Sequence, residues 1–141
     1  MNLVDANVLI YAVNADEPRH EGARRWLDHE LTQGGGIAFS WIVLLAFLRL
    51  TTHPSVFPRP LPAQEAIDIV RGWLECPNAV VTQETPRHLD VLASLLEGSG
   101  TGGNLTSDTH LAAIAIEHRA VVRTYDPDFG RFAGVRWAPP D

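Results

Sequence analysis

Short apolar runs alternate along this chain with longer stretches of helical period, and the alternation predicts strands and helices in turn. Asn2 to Val4 reads as a buried strand ending at Asp5, and Ala6 to Val13 winds into a first helix. Asp16, Glu17 and Pro18 form a helix-start signal, after which Ala23, Trp26, Leu27 and Leu31 recur on one face until Gly34, Gly35 and Gly36. Ile37 to Phe39 predicts a brief second strand, with Ser40 as N-cap of a helix carrying Trp41, Leu44, Leu45, Phe47, Leu48 and Leu50. That helix is apolar nearly all round, so it is either central to the core or covered by a partner subunit.

Pro54, Pro58, Pro60 and Pro62 mark a loop. A helix faced by Ala66, Ile67, Val70, Trp73 and Leu74 follows, ending near Pro77. Ala79 to Thr82 predicts a strand, and Thr85 with Pro86 starts a helix carrying Leu89, Leu92, Leu95 and Leu96. Gly98 to Gly103 reads as a loop, and with no Gly-Lys-Ser/Thr behind it this is not a P-loop. Thr106 or Ser107 is the expected cap of the next helix, which places Asp108 in its first turn and Leu111, Ile114 and Ala115 on its buried face. A buried strand over Ala120 to Tyr125 runs into Asp126-Pro127-Asp128, and a last strand is expected near Val135 to Trp137. The fold class this order predicts is a three-layer α/β/α sandwich with a mostly parallel sheet, built as one domain over residues 1–141.

Composition narrows the function. A single cysteine, Cys76, leaves no internal disulfide and no CxxC zinc pair, which favours a reducing cytoplasm. The N-terminus has no basic leader of the secretory kind, and no apolar stretch approaches the ~20 residues of a membrane helix, so no membrane association is expected. A formal charge of −6 argues against a protein that coats DNA, because such binding rests on basic residues displacing counterions. All 11 basic residues are Arg, which suits bidentate phosphate grips and equally follows from codon usage in a GC-rich genome.

In open α/β sheets, sites form beyond the carboxyl ends of the strands. Asp5 and Asp126 each follow a strand, so acids from opposite ends of the sequence can meet at one rim, with Asp108 at a helix start facing them. Gathered carboxylates repel one another unless a hard cation compensates them, and oxygen-only ligands select Mg²⁺ or Mn²⁺ over Zn²⁺. Taken singly, each acid has an ordinary alternative as a turn former or a helix-dipole partner. His110, two positions beyond Asp108, is open to a role as RNA contact or proton carrier, or as a partly packed surface residue. Arg24, Arg25 and Arg49 are candidates for RNA phosphate contact, for pairing with acids of a partner protein, or for solvated salt bridges.

The ordered set Leu-Val-Asp-Ala-Asn-Val-Leu-Ile-Tyr at 3–11, Ser40 with Phe47-Leu48-Arg49, Leu105-Thr106-Ser107-Asp108-Thr109-His110-Leu111-Ala112, and Thr124-Tyr125-Asp126-Pro127-Asp128-Phe129 resembles the PIN-domain ribonucleases, most closely the VapC toxins of toxin–antitoxin pairs. The resemblance covers essentially the whole chain. It implies that Asp5, Asp108 and Asp126 are catalytic metal-site carboxylates, with Asp128 a further ligand or a supporting group. Asn7, Ser40 and Thr124 would orient water or carboxylates. It implies Mg²⁺, with Mn²⁺ as a substitute, an RNA substrate (transfer or ribosomal RNA), a homodimer and a VapB-like antitoxin partner. One departure stands out. The family's helical Glu falls roughly where this chain has Ala46, and no acid occurs between Glu30 and Glu65. That departure keeps open a second reading, a degenerate PIN module that binds RNA or a protein partner without cutting.

Overall fold

The computed structural model describes residues 1–99 and 105–140. In chain order its elements are β1 (Asn2–Val4), α1 (Ala6–Val13), α2 (His20–Thr32), β2 (Ile37–Ser40), α3 (Trp41–Thr51), α4 (Ala63–Glu75), β3 (Ala79–Thr82), α5 (His88–Ser99), α6 (Leu105–His118), β4 (Val121–Arg123), a 3₁₀ helix (Pro127–Arg131) and β5 (Arg136–Ala138).

All the strand pairs are parallel, in the order β3-β2-β1-β4-β5. Starting from β1, the chain moves outward through β2 and β3, then returns across the sheet to β4. Because parallel crossovers are right-handed, that reversal sends α5 and α6 to the face opposite α1 to α4. The packing agrees: α1 lies against α2 and α3, α3 against α4, and α5 against α6. Helices therefore flank a parallel sheet, as the alternation of periods predicts.

β1 and β2 are almost wholly apolar because they are covered on both faces, with Leu3, Val4, Ile37, Ala38 and Phe39 inaccessible to solvent. β3 is an edge strand and leaves Val80 and Val81 partly open. Val8, Leu9, Leu44, Phe47, Ile114, Val122 and Phe129 complete the core.

Local differences from the expected elements have local causes. The strand expected over Ala120 to Tyr125 pairs only over Val121–Arg123, because the amides of Tyr125 and Asp126 bond to side chains instead. Ser40 is the N-cap residue of α3, but its hydroxyl does not make the capping bond. α6 begins at Leu105, so Thr106 and Ser107 fall inside its first turn rather than at its cap. Gly98 and Ser99 end α5; the rest of the expected glycine loop, 100–103, lies outside the described residues. α3 is only half enclosed: Phe47 and Leu44 are buried, while Trp41 and Leu45 are more than half open or nearly so. Among the described residues no helix is long and apolar enough to cross a membrane.

Candidate metal centre

The strand order reverses between β1 and β4, which makes the space beyond their carboxyl ends the topological switch point of the sheet. Register fixes who sits there. Leu3 pairs Val122 and Val4 pairs Arg123, and the Asp5 amide donates to the Arg123 carbonyl at 3.0 Å, so both chains leave the sheet at the same level.

Asp5 then caps α1, its Oδ1 accepting from the Ala6 amide at 2.7 Å. Its other oxygen, Oδ2, accepts from Thr124 Oγ1 at 2.7 Å and from Asn7 Nδ2 at 3.3 Å. Thr124 Oγ1 accepts in turn from Asn7 Nδ2 and from the Asp126 amide, both at 3.0 Å, and Asn7 Oδ1 accepts from the Tyr125 amide at 3.1 Å. Asn7 and Thr124 thus tie the strand ends together and aim Asp5. Asp126 caps the 3₁₀ helix, accepting from the Asp128 amide at 2.9 Å. Asp108 lies in the first turn of α6. Each of the three carboxylates stands at a helix N-terminus, where backbone N–H groups offset part of their mutual repulsion.

Burial, with that repulsion added to it, shows in the protonation of Asp5 and Asp108. Burial pushes the Asp5 carboxyl above its ordinary range, with the nearby Asp126 charge adding to the effect and the bonds from Thr124 and Ala6 opposing it. Asp108 is raised too, first by burial, then by the charges of Asp5 and Asp126, against which Arg131 acts. Arg131 places Nη2 3.4 Å from Asp108 and Nη1 3.5 Å from Asp128, while its guanidinium lies over the Phe132 ring. Its Nε is buried and has no hydrogen-bond partner. Arg131 escapes a reading of the sequence for acids; its only signal there is the i,i+3 spacing from Asp128.

Asp128 is largely exposed and pairs with Arg131. Ser40 is buried and enters none of the hydrogen bonds that join Asp5, Asn7 and Thr124. A cleft of about 720 Å³ opens beside Asp5 and Asp108, walled by Ile42, Leu45, Ala46 and Arg49 of α3 and by Ser107 and Leu111 of α6. Ala46 therefore lines the same space as the two aspartates.

His110 does not line that cleft. It meets His88 at 3.0 Å (Nδ1 to Nε2) and Glu84 at 3.4 Å, and His88 Nδ1 lies 2.6 Å from the buried carboxylate of Glu117. Burial and the neighbouring His88 hold the His110 imidazole below its ordinary pKa. Arg24 pairs with Glu21 and Asp28 on α2, and Arg25 also stays on α2, reaching toward the Glu21 carbonyl at 3.5 Å.

The donor set is all carboxylate oxygen, crowded and partly desolvated, with one guanidinium to balance it. This is the chemistry of a hard divalent cation. Among the described residues, no three His, Cys, Asp or Glu side chains converge closely enough to enclose such an ion as they stand. Donor type and electrostatics fit the ion; a drawn-in coordination shell is not formed.

Residues 3–135 match the PIN domain family. Ribonuclease VapC37 of Mycobacterium tuberculosis is 53% identical over 140 residues, which span 99% of this chain and 97% of that protein. Ribonuclease VapC33 of the same organism is 39% identical over 99% of this chain and 98% of its own length. Among solved structures, VapBC2 from Rickettsia felis bound to a DNA fragment from its promoter superposes with a TM-score of 0.69 at 22% identity, covering 99% of this chain and 98% of that one. Mycobacterium tuberculosis VapC20, a sarcin-ricin loop cleaving toxin, superposes with a TM-score of 0.68 at 19% identity, covering 96% and 99%. At those identities the structures establish a shared fold.

Proposed function

This chain belongs to the PIN-domain family, among the VapC toxins of toxin–antitoxin systems, and from that premise we propose that it is a metal-dependent endoribonuclease that cuts a structured RNA, transfer or ribosomal, to stop translation. The observation that carries the reading is that Asp5, Asp108 and Asp126 lie near enough at the switch point for their charges to act on one another, each at a helix N-terminus and two of them with raised carboxyl pKa values.

Asp5, Asp108 and Asp126 would hold Mg²⁺, or Mn²⁺ in its place. When bound, the ion supplies charge stabilisation at phosphodiester oxygens and lowers the pKa of water. Thr124 and Asn7 fix the Asp5 oxygens, so that the carboxylate loses no orientational freedom when it takes up its role. Asp128, exposed and paired with Arg131, is a supporting residue in this reading rather than a primary ligand. Water attacks the phosphorus, the P–O3′ bond breaks, and the products carry a 5′-phosphate and a 3′-hydroxyl. With Ala46 in place of an acid, three carboxylates suit one ion better than a bridged pair.

A VapB-like antitoxin would restrain the enzyme. Arg131 at Asp108 is support for how: a guanidinium already satisfies one of these carboxylates, and an antitoxin Arg could satisfy the others. Half-exposed Trp41 on α3 supports a homodimer. The second reading, binding without cutting, draws on Ala46 in the cleft wall.

The test is incubation of purified protein with total bacterial RNA in Mg²⁺, Mn²⁺ or EDTA, with Asp5→Asn and Asp108→Asn alongside. Discrete fragments that need metal and both aspartates are the expected result. RNA binding with no cleavage under either metal would move the binding module to first place.

A further inference from the structure

Ile42, Leu45, Ala46 and Arg49 are spaced i, i+3, i+4, i+7, so they form one stripe along α3, and that stripe is the wall of the cleft beside Asp5 and Asp108. Its first three members are apolar and its last is a cation. Several other arginines have partners: Arg59 pairs with Asp16, Arg24 with Glu21 and Asp28, Arg131 with Asp108 and Asp128, and Arg19 lies over Tyr125. Arg49 is exposed, its carbonyl accepts from Thr52 Oγ1 at 3.4 Å, and its guanidinium makes no ion pair or hydrogen bond among the described residues. Nor is it among the charges that set the carboxyl pKa of Asp5 or Asp108. It lines the acidic cleft without neutralising it.

Position 46 explains why it is free. An acid there would be the i,i+3 partner of Arg49 on the same helix face and would pair with it. With Ala46, this face of the cleft wall holds no acid that could pair with Arg49. We propose that Arg49 grips an RNA phosphate next to the scissile bond, while the nucleoside of that nucleotide lies on the apolar surface of Ile42, Leu45 and Ala46. Planar, bidentate guanidinium recognition suits a phosphate diester, and an apolar wall suits the face of a base or sugar. On a chain of charge −6, a grip of this kind places the needed positive charge at the site itself. The proposal rests on the ribonuclease reading above.

The experiment is fluorescence anisotropy of fluorescein-labelled bulk bacterial transfer RNA with the full-length protein in EDTA, over a series of salt concentrations. Each phosphate contact contributes roughly 0.7 to 0.9 to the slope of log Kd against log salt. Arg49→Ala should flatten the slope by about that amount and weaken binding several-fold, and Arg49→Lys should keep the slope. Ala46→Glu, which gives Arg49 an acidic partner on its own helix face, should flatten it as Arg49→Ala does. Exposed Arg87, which does not line the cleft, is the control, and Arg87→Ala should leave the slope unchanged. An unchanged slope in Arg49→Ala overturns the proposal alone, as does an equal loss in Arg87→Ala. Absence of transfer RNA binding by the unmodified protein at low salt overturns the proposal alone, whereas absence of metal-dependent cleavage of total bacterial RNA overturns the ribonuclease reading as well.

Discussion

Thr124 Oγ1 has hydrogen-bonding neighbours on three sides: it donates to Asp5 and accepts from Asn7 and the Asp126 amide, in a side chain wholly shielded from solvent. Thr124→Val keeps the shape and removes all three, so urea unfolding should show a loss of roughly 1–3 kcal/mol. Because the Thr124 bond lowers the Asp5 pKa, the variant should also need a higher pH to bind metal. The pH argument has a definite sign. A carboxyl whose folded pKa is raised favours the folded state most when protonated, below the unfolded value, and that contribution is lost as pH rises through the folded value. Metal binding demands the charged form and so strengthens over the same range. Above about pH 4, the Tm of metal-free Asp5→Asn should therefore gain on that of the unmodified protein as pH rises; a gap that stays constant with pH would refute a raised Asp5. At this scale the sequence shows the acids and, through family resemblance, Asn7 and Thr124. It does not show Arg131, because nothing in a linear pattern says that the 3₁₀ turn will carry its guanidinium back to Asp108.

The 3₁₀ helix is the element on which the Asp126 side of the site depends. Phe129 is fully buried and stacks edge-on against Phe132, which anchors the segment bearing Asp126, Asp128 and Arg131. Phe129→Ala should cost about 3–5 kcal/mol by thermal or urea unfolding and reduce cleavage beyond what partial unfolding explains. Loss of stability with full specific activity would mean that the turn does not position the site. Most elements are legible because their apolar spacing is strong: α1, α4 and β3 match the pattern closely. The shortfalls come where polar side chains take over backbone amides, as at Tyr125 and Asp126, since hydrogen-bond competition of that kind leaves no hydrophobic signature. The half-open face of α3 is likewise hidden in a run that is apolar on nearly every side. Its lining of the cleft needs the structure, which sets Ala46 and Arg49 beside Asp5 and Asp108.

Across the whole molecule, the core is apolar and contains none of the aspartates of the site, although Leu111 and Val43 belong to the core and line the cleft as well. The core is a sheet buried between helices and owes nothing to the aspartate cluster, in contrast to small domains that fold only around a metal. EDTA should therefore abolish cleavage while leaving the far-ultraviolet circular dichroism unchanged. Saturating Mg²⁺ should raise stability by about 2.7 kcal/mol when free ion exceeds Kd a hundredfold. Collapse of the fold in EDTA would show that the ion is structural. The parallel order of the sheet is legible from the alternation of strands and helices, and its switch point explains why residues separated by 103 to 121 positions lie at one rim.

The most direct test of the central claim, that Asp5, Asp108 and Asp126 hold one divalent ion, is a calorimetric titration of Mn²⁺ into the RNA-free protein and into each Asp→Asn variant. One site is predicted, weakened at least ~10-fold by Asp5→Asn, Asp108→Asn and Asp126→Asn and much less by Asp128→Asn. Equal Mn²⁺ affinity in the unmodified protein and in Asp5→Asn and Asp108→Asn would contradict the account.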